Sequence, residues 1–320
     1  MLLHPGTSFL YTFDRTPIYC WLVERKIKRI LNEHNTSILN IVFSFSHLAT
    51  SNTTPCLLFC DWSYEFLIRN RHNRNPFLLE KIYIHHQNHV ISKADYVVSL
   101  FKESADSMMQ YIPDVRVNCF SKNVVNNLND APLLSDDRAI GEKCKAHNLL
   151  FVGRSHYINA AKQLIGAAER LFLKFPDLRL DIVGLVDDDF EMTLPEWVHC
   201  HGFLHKGNDE HRRLYYALLE KSRCFVNSSP GWGGYSSTIE AMYYYTPIVI
   251  APYKQFLMEF GDNISFGVYV INQSEEELES AILRVMENTE YADMAKSEHI
   301  AVRDYTWLDY SQWLLELVKI

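Results

Sequence analysis

"SSPGWGGYSSTIEAMYYYTPIVIAPY", Ser228 to Tyr253, sets three glycines and a run of hydroxyls ahead of one carboxylate, Glu240, and follows them with the apolar strand "PIVIAP". A glycine-rich turn that opens a helix has two local readings. Ser237 and Glu240 stand at the S-x-x-E spacing of a capping box, in which each side chain satisfies a backbone N–H of the other residue. Alternatively, the glycines admit a ligand to the backbone, and the first helical N–H groups meet it with the positive end of the helix dipole, which makes a seat for phosphate. The stretch by itself leaves both readings open.

Working outward, strands and helices alternate. After the linker candidate, "NLLFVGR" reads as a strand, "NAAKQLIGAAERLFLKF" as a helix and "LRLDIVGL" as a strand. "VHCHGFL" is a short strand, "DEHRRLYYALLEKS" a helix and "RCFVNSS" the strand that feeds the glycine turn. "TPIVIAP" and "FGVYVI" follow as strands, then a long helical stretch from "SEEELESAILRVMENTEYADMAKSEHIAV" and a last amphipathic helix in "DYTWLDYSQWLLELVKI". Upstream, "ILNIVFSF" (Ile38 to Phe45) and "PCLLFCD" (Pro55 to Asp61) read as buried strands, "LLEKIYIHHQNHVISKA" as a helix, "DYVVSL" as a strand, "FKESADSMMQYI" as a helix and "VRVNCFSKNVVN" as a strand and loop. The polar, aperiodic stretch from Asn127 to His147 is the linker candidate.

Two alternating blocks predict an α/β protein with two Rossmann-like domains, each built on a parallel sheet. The expected boundaries are 1–130, a linker at 131–147, a second domain at 148–303 and a terminal helix at 304–320. Ligands of such sheets bind beyond the C-terminal ends of the strands. Those ends carry Asp61, Arg154, Phe203 and the turn from Ser228 to Ser237, which are expected to face one cleft.

Composition narrows the function classes. The chain has 320 residues, 48% of them hydrophobic and 22% charged, an ordinary globular balance, and its length favours two domains. The formal net charge of −8 lacks the basic footprint of a nucleic-acid binder, so no nucleic-acid partner is expected. Seven cysteines are scattered, with no C-x-x-C pair, as in reduced cytosolic proteins. "HCHGFLH" (His199 to His205) is short and has no second ligand cluster, so no metal site is assigned there. No apolar run reaches the ~18 residues of a membrane span, and no signal peptide is evident. "WLVERKIKRILNEHN" (Trp21 to Asn35) is a basic amphipathic helix. Its plainer reading is a solvated face, and its sharper one is peripheral contact with an anionic membrane.

In this order the pieces resemble the family 4 retaining glycosyltransferases, which have the GT-B fold: two Rossmann-like domains facing across a cleft, with a C-terminal helix crossing back. The resemblance is strongest from Asn148 to Pro252, where "LLFVGR", "LIGAAERL", "LDIVG", "HGFL", "LYYALLEKSRCFVNSSP" and "GGYSSTIEAM…TPIVI" keep the family's sequence and spacing. Upstream the likeness is looser. The first residues, "MLLHPGTSFLYTFDR", show no strand followed by a glycine-rich loop, which suggests a truncated form or an acceptor side built otherwise.

The resemblance implies transfer of a sugar from a nucleoside-diphosphate donor to an acceptor hydroxyl with retention, without a metal or other cofactor. The acceptor implied is a glycan or a lipid-linked molecule, and the setting is polysaccharide or glycoconjugate assembly in the cytoplasm, with the inner membrane face as an option. Arg154, after Gly153, matches the Arg that grips the diphosphate. The family's Lys position holds Asn159, and Lys162 one turn later is its candidate substitute. Glu240 matches the acid that binds the ribose hydroxyls, while the family's other acid, eight positions before, is Trp232 here. Gly233, Gly234, Tyr235, Ser236, Ser237 and Thr238 keep the phosphate-seat character. Phe203 and Leu204 offer backbone groups to the base. Asp61 is the candidate for orienting or deprotonating the acceptor hydroxyl, or for stabilising positive charge at the anomeric carbon. The tyrosine run 243 to 245 reads as core and helix surface and not as a sugar-stacking platform. Two rivals remain: a degenerate GT-B protein that binds a partner or glycan without chemistry, and a GT-B epimerase whose acid/base residues cannot be placed.

Overall fold

The computed structural model describes residues 11–33, 38–50, 54–115, 118–122, 136–230 and 235–318. The chain divides into two units, residues 1–123 with 315–320, and residues 124–314.

The first unit opens with helix α1 (Pro17–Glu33) and carries a sheet of four parallel strands in the order β1-β2-β3-β4: β1 (Asn40–Val42), β2 (Cys56–Cys60), β3 (Tyr96–Ser99) and β4 (Cys119–Ser121). A short turn of helix α2 (Tyr64–Phe66) runs into a wider turn to Arg71. Helix α3 (Leu78–Lys93) then leads to β3, and helix α4 (Lys102–Tyr111) to β4. β2 is buried on both faces, which is why it reads as a continuous apolar run and not as an alternation. Its Leu58, with Val97, Ile91 and Met108, forms the core of this unit. β1 is shorter than the apolar run from Ile38 to Phe45 suggests, because Ile41 and Phe43 are exposed.

The second unit begins with helix α5 (Asp136–Lys143). This helix occupies the stretch expected as linker. Its last residue explains the difference: the Lys143 side chain is fully buried, with Nζ donating to the Leu219 carbonyl at 2.5 Å, the Ser222 carbonyl at 2.9 Å and Thr246 Oγ1 at 2.8 Å. Burial pushes its ammonium down to about 7. Nearby Glu298 is equally buried, which raises its carboxyl well above the usual range. Part of the polar linker candidate is thus a helix anchored in the body of the unit by Lys143.

Strand and helix then alternate: β5 (Asn148–Val152), α6 (Ile158–Lys174), β6 (Arg179–Val183), β7 (Val198–Cys200), α7 (Asp209–Lys221), β8 (Cys224–Asn227), α8 (Ser236–Tyr243), β9 (Ile248–Ile250), α9 (Lys254–Phe260) and β10 (Gly267–Tyr269). All six strands are parallel, in the order β10-β9-β8-β5-β6-β7. The expected long helix after β10 is two helices, α10 (Glu275–Met286) and α11 (Tyr291–Val302), followed by α12 (Trp307–Leu317). The helix signals are local. Asn208 caps α7 by accepting from the amides of Glu210 and His211, and Ser274 caps α10 through the amide of Glu277. On α6 the buried residues Ala160, Ala161, Leu164, Ala168 and Leu171 recur at helical spacing and face the core. The tyrosines at 243 to 245 are buried, as expected of core.

One backbone position ties the fold to the site. Gly184, just beyond β6, has φ +100°, and a Cβ there would stand 2.4 Å from the carbonyl oxygen of Gly153. Only glycine meets both conditions, because the left-handed conformation and the close approach each exclude a side chain. Gly184→Ala is expected to destabilise the second unit by about 1–3 kcal/mol and to displace the Gly153–Arg154 turn. A denaturant titration that leaves the unfolding midpoint unchanged would refute this.

Candidate donor-binding site

The second sheet reverses its order of growth at β5. From β5 the chain adds β6 and then β7 on one side, and returns with β8 on the other. The crevice beyond the carboxyl ends of β5 and β8 is therefore a topological switch point, where open α/β sheets receive their ligands. The rim is tied together there, since Asn227 at the end of β8 donates from Nδ2 to the Val152 carbonyl at the end of β5, at 3.3 Å.

Two of the expected residues arrive at this end of the sheet from different strands. Arg154 follows β5 directly. Its side chain is exposed, and its guanidinium carbon lies 4.6 Å from the ring centre of Phe203, which follows β7. Phe203 is itself 57% exposed, so the pair presents a cation stacked on an open aromatic face. Leu204, beside it, is buried. The chain turns at Gly202, whose φ is +63° and whose amide and carbonyl bond Leu185 and Gly184.

Glu240 enters from α8, and its carboxylate is almost fully buried. Lys206 Nζ lies 2.5 Å from Oε1, and Tyr215 donates its hydroxyl to Oε2 at 2.6 Å. The same ammonium sits 4.6 Å above the Tyr215 ring. Burial, then the neighbouring Glu240 carboxylate, raises the Tyr215 phenol well above its ordinary value, so it stays a donor. A buried carboxylate held by a cation and a hydroxyl is a fixed acceptor.

Lys206 and Tyr215 were not legible as site residues. Each lies more than twenty positions before Glu240, and a tyrosine on the apolar face of α7 reads as packing. The one available signal is physical: a carboxylate buried one turn into a helix must find a partner.

The structure bears on the capping reading of the helix start. α8 begins at Ser236, and Tyr235 at its cap makes no side-chain capping bond. Ser237 thus lies inside the first turn, and the Glu240 carboxylate is engaged with Lys206 and Tyr215, so the Ser237–Glu240 capping box does not form. Thr238 is buried and Ser236 and Ser237 are half-exposed, while Tyr235 is buried with its ring stacked on Tyr253. Trp232, Gly233 and Gly234 lie outside the described residues.

Asn159 is exposed on the first turn of α6. Lys162 is turned to Glu191, with 3.8 Å between their charged atoms. Asp61 belongs to the first unit, at the end of β2, and is exposed. Surrounding protein raises its carboxyl above the ordinary value by desolvation, an effect its exposure limits. Its carbonyl accepts from Ser99 Oγ at 2.7 Å. The imidazoles of the "HCHGFLH" run are engaged locally: His201 Nε2 lies 2.7 Å from Asp181 Oδ1, and His205 packs its ring against Phe203.

Comparison with known proteins places this segment. Residues 146–288 match the family described as glycosyl transferases group 1. Among curated proteins none matches the chain. Solved structures share the fold. HepE from Anabaena, in complex with UDP, has a TM-score of 0.64 at 14% identity over 93% of this chain and 83% of its own. Sucrose-phosphate synthase from Thermosynechococcus elongatus has a TM-score of 0.60 at 14% identity over 98% and 81%. A TarM variant from S. aureus, in complex with Fondaparinux, alpha-GlcNAc-glycerol and UDP, has a TM-score of 0.54 at 18% identity over 82% and 55%. The chain thus spans about half the length of TarM. The fold is that of the GT-B glycosyltransferases, with two parallel sheets. Among the described residues no helix is long and apolar enough to cross a membrane.

Proposed function

We propose that the protein is a glycosyltransferase that binds a nucleoside-diphosphate sugar at the switch point of the second sheet and moves the sugar, with retention, to a hydroxyl of a glycan or lipid-linked acceptor. The observation that carries this reading is the buried Glu240 carboxylate, preset by Lys206 and Tyr215 within a group 1 domain. Vicinal ribose hydroxyls are donors that one carboxylate accepts together. Arg154 stacked on Phe203 stands ready for the diphosphate, because its fork donates two parallel N–H bonds to phosphate oxygens. Lys206 adds a second cation, the charge that Asn159 does not supply.

The chemistry needs charge stabilisation on the leaving diphosphate as the glycosidic bond breaks. Arg154, Lys206 and the start of α8 would provide it, and this reading needs no metal ion or other cofactor. Donor contacts are assigned to Gly153, Arg154, Phe203, Leu204, Tyr235, Ser236, Ser237, Thr238 and Glu240, and on the resemblance also to Trp232, Gly233 and Gly234. Asp61, an exposed carboxylate whose proton affinity is raised, is the proposed acceptor-side base. A role in surface polysaccharide or glycoconjugate assembly in the cytoplasm follows from the family alone. UDP is the first nucleotide to try, because structures of HepE and TarM hold it.

The test is thermal unfolding of the full chain with UDP, GDP, ADP and CMP. Ligand at ~100 times its dissociation constant stabilises the native state by about 2.7 kcal/mol. No shift with any nucleotide would overturn the donor site and favour the second reading, a degenerate GT-B binding protein, to which Asn159 and the diversion of Lys162 to Glu191 point. Arg154→Ala is expected to lower transfer by about 10- to 100-fold, the value of one charge-assisted hydrogen bond, without changing the melting temperature, because the side chain is exposed. Wild-type turnover in that variant would remove Arg154 from the mechanism.

A further inference from the structure

The first unit holds a cluster that the proposed transfer reaction does not use. Cys20 on α1, His47 in the segment after β1 and His86 on α3 bring one ligand atom each to within 4.8 Å of one another. One of the imidazoles is oriented by its surroundings. His86 Nε2 stands 2.9 Å from the Ser46 carbonyl, the kind of contact that fixes the tautomer of a ligating imidazole and leaves Nδ1 with the lone pair. Ser46 is fixed in turn, with its hydroxyl 2.6 Å from the Tyr83 hydroxyl and 3.0 Å from Gln87 Nε2. His47 Nδ1 is buried and has no hydrogen-bond partner. A buried imidazole nitrogen without a partner is costly unless something supplies one. Glu24 lies one helical turn from Cys20, with Oε1 4.0 Å from His86 Nε2. A cavity of about 720 Å³ is lined by Cys20, Glu24 and His86, so an ion has a route in.

We infer that Cys20, His47 and His86 form a zinc site, with Glu24 or a water in the fourth position, which fastens α1 to the body of the first unit. One thiolate, two imidazoles and one oxygen suit a borderline-soft ion, and Zn²⁺ tolerates irregular geometry because it has no d-electron preference. Ligand atoms around tetrahedral zinc are about 3.3–3.7 Å apart, given Zn–N near 2.0 Å and Zn–S near 2.3 Å. The three side chains therefore draw in by roughly 1 Å, which side-chain rotation provides. Cys20 binds as the thiolate, so each ion taken up releases the thiol proton to solvent. Helix α1 packs Cys20 as its only buried residue and leaves Ile18 and Trp21 more than half exposed. A metal bond therefore adds to a weak attachment.

Cobalt is the probe, because a thiolate ligand announces itself by a sulfur-to-cobalt charge-transfer band in the near ultraviolet. The full chain, freed of metal by chelation, is expected to bind a single Co²⁺ with that band, and Zn²⁺ should displace it. Cys20→Ser, a one-atom change, should abolish the band, while Cys144→Ser at an exposed thiol should keep it. His47→Gln and His86→Asn should each weaken Zn²⁺ affinity by about tenfold or more. Failure to bind Co²⁺, a band that persists in Cys20→Ser, or unaltered affinity in either histidine variant would overturn the site. Nucleotide-induced stabilisation of the second unit is a separate readout, so this inference and the donor-site reading stand or fall independently.

Discussion

Glu240→Gln is expected to weaken UDP binding by roughly 10- to 100-fold while the second unit stays folded. The acid is the proposed seat of the ribose, and the hydrogen bonds at stake are charge-assisted, worth about 1.5–3 kcal/mol. Each 1.4 kcal/mol is about a factor of ten in affinity. Glutamine is the informative substitution because it keeps the shape and one acceptor oxygen, which can still receive the Tyr215 hydroxyl, now 2.6 Å from the carboxylate. The charge facing Lys206 and the second acceptor are lost. Alanine would instead leave Tyr215 and Lys206 facing a void, and weaker binding would then mix with damage to the fold. Isothermal titration with UDP, read beside the melting curve, separates the two. Equal affinity in wild type and Glu240→Gln would show that the ribose is not held there, and the Glu240–Lys206–Tyr215 cluster would then be structural.

The same cluster shows what the sequence did and did not disclose. The parallel sheets were legible because strands buried on both faces are unbroken apolar runs, as in "CLLFC" and "NLLFV". The positions of Arg154 and Glu240 were legible because a strand end and a helix start are punctuated by glycine and hydroxyl residues. The partners of Glu240 were not, since an ion pair across 34 residues leaves no periodic trace. Lys143 shows the opposite failure: helix α5 looks like solvent-facing linker, and only the carbonyls of Leu219 and Ser222, on another helix and its end, reveal that its ammonium is buried. Helix α9 (Lys254–Phe260) passed unnoticed because seven residues offer too little periodicity.

Arg74→Ala is expected to cost the first unit about 3–5 kcal/mol, the largest single effect on its stability. Glu80 is fully buried at the start of α3, and Arg74 grips it with both arms, Nη1 to Oε2 and Nη2 to Oε1, each at 2.7 Å. The same carboxylate takes the Phe77 amide at 2.8 Å, which closes the helix N-terminus, and the Tyr64 hydroxyl at 3.3 Å. Removing the guanidinium leaves a buried carboxylate without its cation. Arg74→Lys should recover little, because a point charge cannot reproduce the two parallel bonds. Removing the acid as well, in Arg74→Ala with Glu80→Gln, should restore part of the loss, since the uncompensated charge is then gone while an amide oxygen still receives the Phe77 amide. Hydrogen exchange of the α3 amides reads the effect locally, without assuming that the two units unfold together. Protection unchanged to within about 1 kcal/mol in Arg74→Ala would place this pair with the surface salt bridges and leave the anchoring of α3 to its apolar face.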